Sequence, residues 1–448
     1  MMKKQQLTKT KELIKFINES PSAFHAVESA ESMLFSAGFL PLSEADTWNL
    51  MPGKGYYLTR NRSSILAFRV PQKKPRNCLI TATHTDSPML KLKPNCESPS
   101  TPYLRLNTEV YGGTILSTWL DRPLSLAGRV ILQENGIFSA KAVKIDRDLM
   151  LIPNVAIHQN RNVNAGYAWN PAKDMLPLFA EKGNTEISVK SLLAKELGCK
   201  AEQIAGMDLY VYCRTTGSIW GASNEFFSAP RIDNLMCMYG TLQGFLEAEP
   251  PNDTLTVCFA ADNEETGSTT KQGAGSVMLS DTLSRICECL RCDKRRLLAA
   301  SMMVSADNAH AKHPNHPELS DADNAPTVNG GVVIKTNAAQ KYATDGISAS
   351  LFGEICKQAD VPIQFFANRS DIAGGSTLGS ISNTLVPLLT VDIGMAQLAM
   401  HSAYETAGVA DTDYLIRSMK AFYSCRLYVE SDGVYHLDFQ SKEGVHHV

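Results

Sequence analysis

Short apolar runs alternate with longer segments of helical periodicity at the beginning of the chain and again over its second half. Short apolar runs between turn residues are typical of buried strands, whereas apolar positions three and four apart indicate amphipathic helices. The runs predict strands over residues 64–70, 78–83, 255–261, 299–306, 332–335 and 385–393. The helical periods predict helices over residues 21–36, 233–247 and 347–359, and a long last helix. This alternation favours an α/β fold with a largely parallel sheet.

Capping residues mark where some of these helices begin and end. Ser20 before Pro21 is a helix-start signal, and Gly38 is a helix-end signal, so both bound the helix over residues 21–36. Asp411 is the predicted N-cap of the last helix.

The pattern changes after Pro94 to short alternating runs separated by turn residues, and this continues to about residue 225. Asn135-Gly136 between two such runs is a β-hairpin signal. Gly198 ends a predicted helix over residues 189–197. Because 448 residues are too many for one ordinary core, two domains are expected. We predict a discontinuous α/β domain of residues 1–93 and 226–448, with an inserted β-rich domain of residues 94–225.

Potential metal ligands stand at or just beyond the ends of the predicted strands, or at the beginning of a helix. Ligands of open α/β sheets bind beyond the carboxyl ends of the strands. Two histidines and three carboxylates suit two zinc or similar ions, with one carboxylate bridging them. The five candidate ligands are His84, Asp233, Glu265, Asp307 and His401.

Two adjacent glutamates, Glu264 and Glu265, follow the apolar run that ends at Ala261. Their side chains point in different directions, so one can hold a metal ion while the other transfers protons. A solvated acidic turn is the common alternative for an isolated Glu-Glu pair, and the other candidate ligands argue against it. Asp86 lies two residues after His84 on the same face of a strand, where it can orient the imidazole.

The overall composition and charge limit the kinds of partner that the protein is expected to bind. The formal net charge of -3 gives no indication of nucleic-acid or membrane-surface binding. The first residues lack the apolar core of a signal peptide, and no stretch reaches the roughly 18 apolar residues of a spanning helix. The eleven cysteines are an odd number and lie largely in apolar runs. They are typical of reduced core residues, so we expect a cytoplasmic protein.

The segments around the candidate residues resemble motifs of a known family in the family's own order over nearly the whole chain. This agreement is far more specific than one pattern, and the chain resembles the M18 metallopeptidases, the aspartyl aminopeptidases. The matching segments are THTDSP (83–88), YGG (111–113), STW (117–119), DR (121–122), PNVAIH (153–158), APRIDN (229–234), DNEETGS (262–268), SADNAH (305–310) and QLAMHS (397–402).

The resemblance implies a fold and an assembly. The fold is a zinc-aminopeptidase-type mixed α/β sheet flanked by helices, and the insertion is a dimerisation domain. Members of the family assemble from dimers into tetrahedral homododecamers. The implied cofactors are two divalent ions per chain, with zinc first and cobalt or manganese as alternatives.

The resemblance also implies a role for each candidate residue. One ion would be bound by His84 and Asp307, a second by Glu265 and His401, and Asp233 would bridge them. Glu264 would be the general base that activates a metal-bridged water, and Asp86 would orient His84. The peptide bond between Asp233 and Asn234 is expected to be cis. His158 is expected to reach the active site of a dimer partner and to donate a hydrogen bond to the substrate carbonyl.

The implied reaction is removal of an N-terminal residue, preferably Asp or Glu, from peptides. An acidic substrate side chain requires a cation nearby, and we predict substrate contacts from Lys335, His310 and Tyr342. A surface lysine and ordinary packing are the alternatives for these three residues.

Other functions remain open at the level of the sequence. The same metal platform could release neutral N-terminal residues or deacylate amino acids. A catalytically silent assembly protein is a further alternative, although every ligand position and Glu264 carry competent residues. A nucleotide-binding enzyme would require a complete glycine-rich loop, and Gly273-Ala274-Gly275 lacks the rest of that pattern.

Overall fold

The computed structural model describes residues 2–100, 102–181, 187–372, 374–375 and 377–439, and over these residues the chain forms ten α-helices and twenty-one strands. The helices are α1 Met2–Glu19, α2 Ala23–Ser36, α3 Pro171–Asp174, α4 Val189–Leu197, α5 Ile232–Glu247, α6 Met278–Leu290, α7 Lys294–Ala299, α8 Gly346–Gln358, α9 Leu378–Asn383 and α10 Val409–Ser424. The strands are β1 Leu40–Pro41, β2 Gly55–Arg60, β3 Ser64–Arg69, β4 Asn77–His84, β5 Met89–Ser100, β6 Tyr103–Tyr111, β7 Leu124–Glu134, β8 Ile137–Lys144, β9 Leu178–Glu181, β10 Ile204–Cys213, β11 Ser218–Trp220, β12 Phe226–Ala229, β13 Thr254–Ala261, β14 Met302–Ala306, β15 Ala309–His310, β16 Val332–Lys335, β17 Ile363–Phe366, β18 Leu389–Leu398, β19 Glu405–Gly408, β20 Arg426–Ser431 and β21 Val434–Asp438.

A thirteen-stranded mixed sheet forms the centre of the molecule, and its main path is β1-β2-β3-β13-β4-β14-β18-β19-β12-β11. β15 and β16 also pair with β18, and β17 pairs with β16. The four middle strands β13, β4, β14 and β18 are parallel to one another. β3 and β16 flank them in the antiparallel direction. The predicted mixed α/β sheet is therefore confirmed, and four strand ends meet at one edge.

Helices cover both faces of this sheet, as the alternation of side chains along a strand requires. On β4, Leu79 packs into the core formed with α1, α2, α5, α8 and α10. The next residue, Ile80, packs into the opposite core, formed with α6, α7 and α9. The middle strands are buried on both sides, which explains why their sequences are nearly continuous apolar runs.

Helix α5, which carries Asp233 in its first turn, packs closely against α10. A Cβ atom added at Gly240 would clash with the side chain of Leu415. One added at Gly244 would clash with the side chain of Met419. Glycine at both positions therefore permits the close approach that holds α5 in place.

The second sheet has six strands in the order β8-β7-β10-β5-β6-β9, and its own core lies between these strands and α4. Asn135 and Gly136, both with positive φ, form the turn between β7 and β8, as predicted. Gly198 ends α4 in the left-handed conformation, also as predicted. The strands of this sheet lie between Met89 and Cys213, whereas β11 and β12 belong to the large sheet. The division at residues 94 and 225 stays a prediction.

Several helix boundaries differ from the sequence predictions. The N-cap of α2 is Ser22 instead of Ser20. The N-cap of α10 is Gly408, and Asp411 lies in the first turn, where its carboxylate accepts hydrogen bonds from the backbone of Asn329 and Gly331 at 2.6 and 3.2 Å. In both cases the residue was chosen by type, and its side chain makes another hydrogen bond: the Ser20 hydroxyl donates to Ser29 Oγ at 3.1 Å, and Asp411 binds a distant backbone segment.

Two predicted strands also begin later than expected. Ala299 ends helix α7, and the strand β14 begins at Met302. The run predicted as a strand over residues 385–393 follows helix α9, which was missed, and its strand β18 begins at Leu389. Short apolar runs do not distinguish a strand from the last turn of a buried helix.

Over the described residues, no helix combines the length and the apolarity that crossing a bilayer would require.

Candidate metal centre

The carboxyl ends of the middle strands bring the predicted ligands into one cleft. His84 is the last residue of β4, and Asp307 directly follows β14. Glu265 lies in a 3-10 turn that follows β13, and His401 follows β18. Asp233 reaches the same cleft from the first turn of α5. Its peptide bond to the next residue is cis, as the resemblance implied.

Asp233 lies between the two histidines. Its Oδ1 atom is 3.7 Å from His84 Nε2, and its Oδ2 atom is 3.3 Å from His401 Nε2. His84 Nε2 is also 3.4 Å from Asp307 Oδ1, and His401 Nε2 is 3.4 Å from Glu265 Oε2. The two oxygens of one carboxylate thus face two separate His-carboxylate pairs, which is the arrangement of a bridging ligand.

The residues present fit a pair of divalent cations. Asp233 Oδ1 and Glu265 Oε1 are buried and accept no hydrogen bond from the described residues. Such oxygens are costly to bury unless a cation or donor satisfies them. Ligand atoms within 4.8 Å of one another form three groups over the described residues: His84, Asp233 and Asp307; Asp233, Glu265 and His401; and His84, Glu264 and Glu265. Two of these groups share Asp233.

Both histidines are oriented by hydrogen bonds from Nδ1. The Nδ1 atom of His84 lies 3.1 Å from the carbonyl oxygen of Asp86 and 3.3 Å from its carboxylate. The Nδ1 atom of His401 lies 3.1 Å from the carbonyl oxygen of Gly113. These acceptors hold a proton on Nδ1, so in the neutral form of each imidazole the lone pair is on Nε2, which faces the cleft.

Asp86 also organises the two glutamates, which sequence reasoning did not foresee. Its Oδ1 accepts a hydrogen bond from the backbone N–H of Glu264 at 3.1 Å, and its Oδ2 accepts one from Glu265 at 3.2 Å. One buried carboxylate therefore connects the imidazole of His84 with the turn that carries both glutamates.

Glu405 is a second residue that sequence reasoning missed. Its buried carboxylate accepts hydrogen bonds from the backbone N–H of Asp233 at 3.0 Å and of His401 at 2.7 Å. It also accepts one from Gln397 Nε2 at 3.2 Å. Burial, together with the charge of Asp233, raises the pKa of Glu405 to about 8. A glutamate that begins a short strand four residues after His401 gives no pattern by which this role could be found.

The cleft holds an excess of negative charge. Burial, and then the charges of Asp307, Asp86 and Asp233, raise the pKa of Glu264 to about 8, although His84 acts in the opposite direction. Burial and the charge of Asp233 raise the pKa of Glu265 well above its ordinary value. Carboxylates that resist ionisation together are stabilised when cations bind among them.

Asp307 differs from the other carboxylates. Burial alone would raise its pKa, but the Lys335 ammonium and His84 outweigh burial and hold that pKa below its ordinary value. Burial would likewise lower the pKa of His84, but its hydrogen bonds with Asp307 and Asp86 outweigh this and raise it well above the ordinary value.

The predicted substrate-contacting residues lie at different depths. Lys335 is 2% exposed, and its Nζ donates to the carbonyl oxygen of Asp307 at 2.7 Å and lies 3.4 Å from its carboxylate. The ring of Tyr342, also buried, has its centroid 5.2 Å from Lys335 Nζ. His310 is exposed on β15, beside the ring of Phe366.

Among the described residues, no contact places His158 in the cleft of its own chain. It lies on an exposed turn, and forms no hydrogen bond or ion pair with the rest of the described chain. Its predicted role remains a prediction.

In this mixed α/β sheet, histidines and carboxylates cluster at the ends of the parallel strands, and one carboxylate lies between the two histidines. Such an arrangement is typical of metallohydrolases. A family model described as aminopeptidase I zinc metalloprotease (M18) matches residues 16–423. The chain belongs to the M18 family, which confirms the resemblance noted in the sequence, and it is an N-terminal peptide hydrolase of the metallo-aminopeptidase type.

Individual relatives agree over almost their full lengths. The probable M18 family aminopeptidase 2 of Clostridium novyi (strain NT) is 44% identical over 433 residues, which are 94% of this chain and 100% of that protein. The chain solved in the Ape4 and Nbr1 complex is 36% identical with a TM-score of 0.90, over 93% of this chain and 86% of that one. The S. cerevisiae mApe1 dodecamer is 24% identical with a TM-score of 0.81, over 92% of this chain and 95% of that one, and shares the fold.

Proposed function

We propose that this protein is a two-metal aminopeptidase that releases N-terminal residues from peptides, preferably Asp or Glu, with Glu264 as the general base. The observation that carries the proposal is the position of Asp233, whose two oxygens face His84 and His401 separately. We assign the two ions to zinc, with cobalt and manganese as alternatives.

His84 and Asp307 would hold one cation, Glu265 and His401 the other, and Asp233 both. When bound, the cations would lower the pKa of a water molecule and polarise the scissile carbonyl. The chain itself provides the proton transfer, for which a carboxylate near that water is required.

Glu264 is the residue suited to this proton transfer. It lies with His84 and Glu265 in one group, and its backbone is fixed by Asp86. Its raised pKa in the ion-free protein would fall again with positive charge at the ligands, toward the neutral range in which a general base works best. It would accept a proton from water and return it to the leaving amine.

Replacement of Glu264 by Gln tests this assignment, because Gln keeps the shape and cannot accept the proton. We expect turnover to fall by at least about two orders of magnitude while both ions remain bound. Kinetics and metal analysis are measured on the same preparation. Near-normal turnover in the metal-loaded variant would remove Glu264 from the mechanism.

The preference for acidic N-terminal residues is proposed to depend on Lys335, Tyr342 and His310. Lys335 is the buried cation of this group. Initial rates on a panel of aminoacyl substrates, with zinc, cobalt and manganese compared, test both substrate and metal. Equal rates on acidic and neutral residues would favour a neutral aminopeptidase on the same platform.

We further propose that the chain forms dimers through the second sheet and assembles as a homododecamer in the cytoplasm. The structural neighbour mApe1 is a dodecamer, and the cysteines of the described residues are free, as expected in a reducing compartment. The exposed position of His158 agrees with a role in the active site of a partner chain. There its imidazole would donate a hydrogen bond to the substrate carbonyl.

Mixed dimers test the role of His158. A chain with His158→Ala and a chain with Glu264→Gln are each expected to be nearly inactive alone. Co-expression with two affinity tags isolates the mixed species, in which one site receives Glu264 from one chain and His158 from the other. Activity in that species supports the shared site, and its absence would contradict it.

A further inference from the structure

A short segment at the end of β6, residues 111–115, connects the second sheet with the metal centre. The carbonyl oxygen of Gly113 accepts the hydrogen bond from His401 Nδ1. The backbone N–H of Ile115 and the hydroxyl of Thr114 both donate to the carbonyl oxygen of His401, at 2.9 and 3.1 Å. A Cβ atom added at Gly112 would lie 3.1 Å from Glu265 Cβ. This segment is therefore packed directly against the second pair of ligands.

Tyr111 begins this segment, and its hydroxyl joins two residues that fix the diglutamate turn. It donates to Asp86 Oδ2 at 2.7 Å and accepts from Asn263 Nδ2 at 2.8 Å. Asn263 directly precedes Glu264, and its Oδ1 accepts from Thr270 and Gln272, both at 2.8 Å.

The direction of each hydrogen bond in this network is determined. The amide oxygen of Asn263 faces two side-chain donors, so its Nδ2 must be the donor toward Tyr111. The single hydroxyl proton of Tyr111 is then directed to the carboxylate of Asp86, which is a strong charge-assisted acceptor. Asp86 in turn accepts from the backbone of Glu264 and Glu265.

We propose that Tyr111, which comes from the second sheet, is a positioning residue for the reaction. Its hydroxyl fixes Asp86 and Asn263, and these two residues set the turn that presents Glu264 as the base and Glu265 as a ligand. This inference rests on the proposed function of those two glutamates. It makes the second sheet a structural part of the metal centre of its own chain, in addition to any role in dimerisation.

The chain offers a matched control in Tyr210. The rings of Tyr111 and Tyr210 pack edge to face with centroids 5.5 Å apart, and both tyrosines are partly buried. The Tyr210 hydroxyl forms no hydrogen bond with the described residues, whereas that of Tyr111 forms two. Tyr111→Phe and Tyr210→Phe therefore remove the same atom from neighbouring rings and differ in its hydrogen bonds.

The test compares both variants with the wild type as full-length, zinc-loaded protein. For Tyr111→Phe we expect kcat to fall about tenfold with KM within about twofold. We also expect zinc affinity at the site of Glu265 and His401 to fall about tenfold, the lower limit for loss of a supporting hydrogen bond. Tyr210→Phe should leave kcat and zinc affinity unchanged. Competition with a chromogenic chelator measures affinity without reference to catalysis, so an inactive wild type would overturn the proposed function and leave this measurement valid.

A double-mutant cycle with Asp86→Asn determines whether Tyr111 acts through Asp86. Tyr111→Phe should add little to the losses that Asp86→Asn causes alone, in kcat and in zinc affinity, because the carboxylate through which Tyr111 acts is then already removed. Full additivity, or unchanged zinc affinity and kcat in Tyr111→Phe, would overturn the proposal. If Tyr111→Phe does not fold, Asn263→Gly provides the alternative, since glycine tolerates the positive φ at this position, removes the donor to the Tyr111 hydroxyl and adds no charge. It is expected to reduce zinc affinity in the same way. Unchanged zinc affinity in that variant would also count against the proposal.

Discussion

The two halves of the proposed metal centre, which share Asp233, are held in different ways. His84 ends β4, Asp307 directly follows the neighbouring strand β14, and the His84 side chain is 1% exposed. Glu265 and His401 belong to a turn and a loop, and the His401 side chain is 30% exposed. The large sheet fixes the first half directly. The second half obtains its rigidity from residues 111–115 of the other sheet and from Glu405.

The difference shows that strand ends alone do not complete this site. Parallel strands give His84 and Asp307 a backbone separation that is set by the ladder, and Asp86 and Lys335 then orient their side chains. A ligand on a loop needs hydrogen bonds from outside its own element before it can hold a metal with precision. Substitutions in the two halves should therefore have separable effects.

The largest effect is expected from Asp233→Ala, which removes the residue that both halves share. Both ions lose a bond and the charge that allows two cations to lie near each other, so most of the bound metal should be lost. Metal content per chain is the measurement. The same substitution at the exposed Asp281 on α6 is the control, and retention of two ions by Asp233→Ala would show that the bridge is assigned wrongly.

The next largest effect distinguishes the two halves by what each contributes to the thermal stability of the metal-free protein. His84→Ala should lose metal and also lower the thermal midpoint of the EDTA-treated protein, because it leaves a cavity in a buried site and removes the imidazole that contacts the Asp86 and Asp307 carboxylates. His401→Ala should lose metal with little change of that midpoint, because the side chain is partly exposed. Equal shifts of the thermal midpoint in both variants would show that the two halves do not differ in their contribution to stability.

Lys335→Met should weaken the first half alone. The substitution removes the cation that lowers the pKa of Asp307 and keeps the length of the side chain, so we expect zinc affinity at one site to fall about tenfold. If Lys335 also selects acidic substrates, kcat/KM on an N-terminal Asp should fall more than on a neutral residue. Lys357→Met, on the exposed end of α8, is the control. An equal loss on both substrates would assign Lys335 to metal support only.

The smallest effect concerns pH in the absence of metal. The folded-state pKa of Glu264, about 8, lies above that of an unfolded glutamate, so the folded protein holds a proton that the unfolded chain releases. The associated stability is present at low pH and is lost as pH rises between about 4.5 and 8. The thermal midpoint of EDTA-treated protein should therefore decline from pH 6 to pH 8, and Glu264→Gln should reduce that decline. An identical slope in the variant would show that the decline arises from a group other than Glu264.

Sequence reasoning succeeded for elements whose signal is local. The apolar runs that became β4 and β13, and the Asn135-Gly136 turn, follow from periodicity and backbone preference within a few residues. It failed for Ser20 and Asp411 as caps. In the structure the carboxylate of Asp411 binds a backbone segment some 80 residues away in sequence.

The sequence by itself determined which residue types the candidate site contains and that they lie near strand ends, because parallel strands all deliver their carboxyl ends to one edge. The tertiary structure decided how those ligands are held. Glu405 accepts a hydrogen bond from Asp233, and Asp86 accepts one from Tyr111. Both bonds join elements that are separated along the chain. No local pattern encodes such a contact, because a buried carboxylate or hydroxyl is selected by the donors and acceptors that folding brings to it.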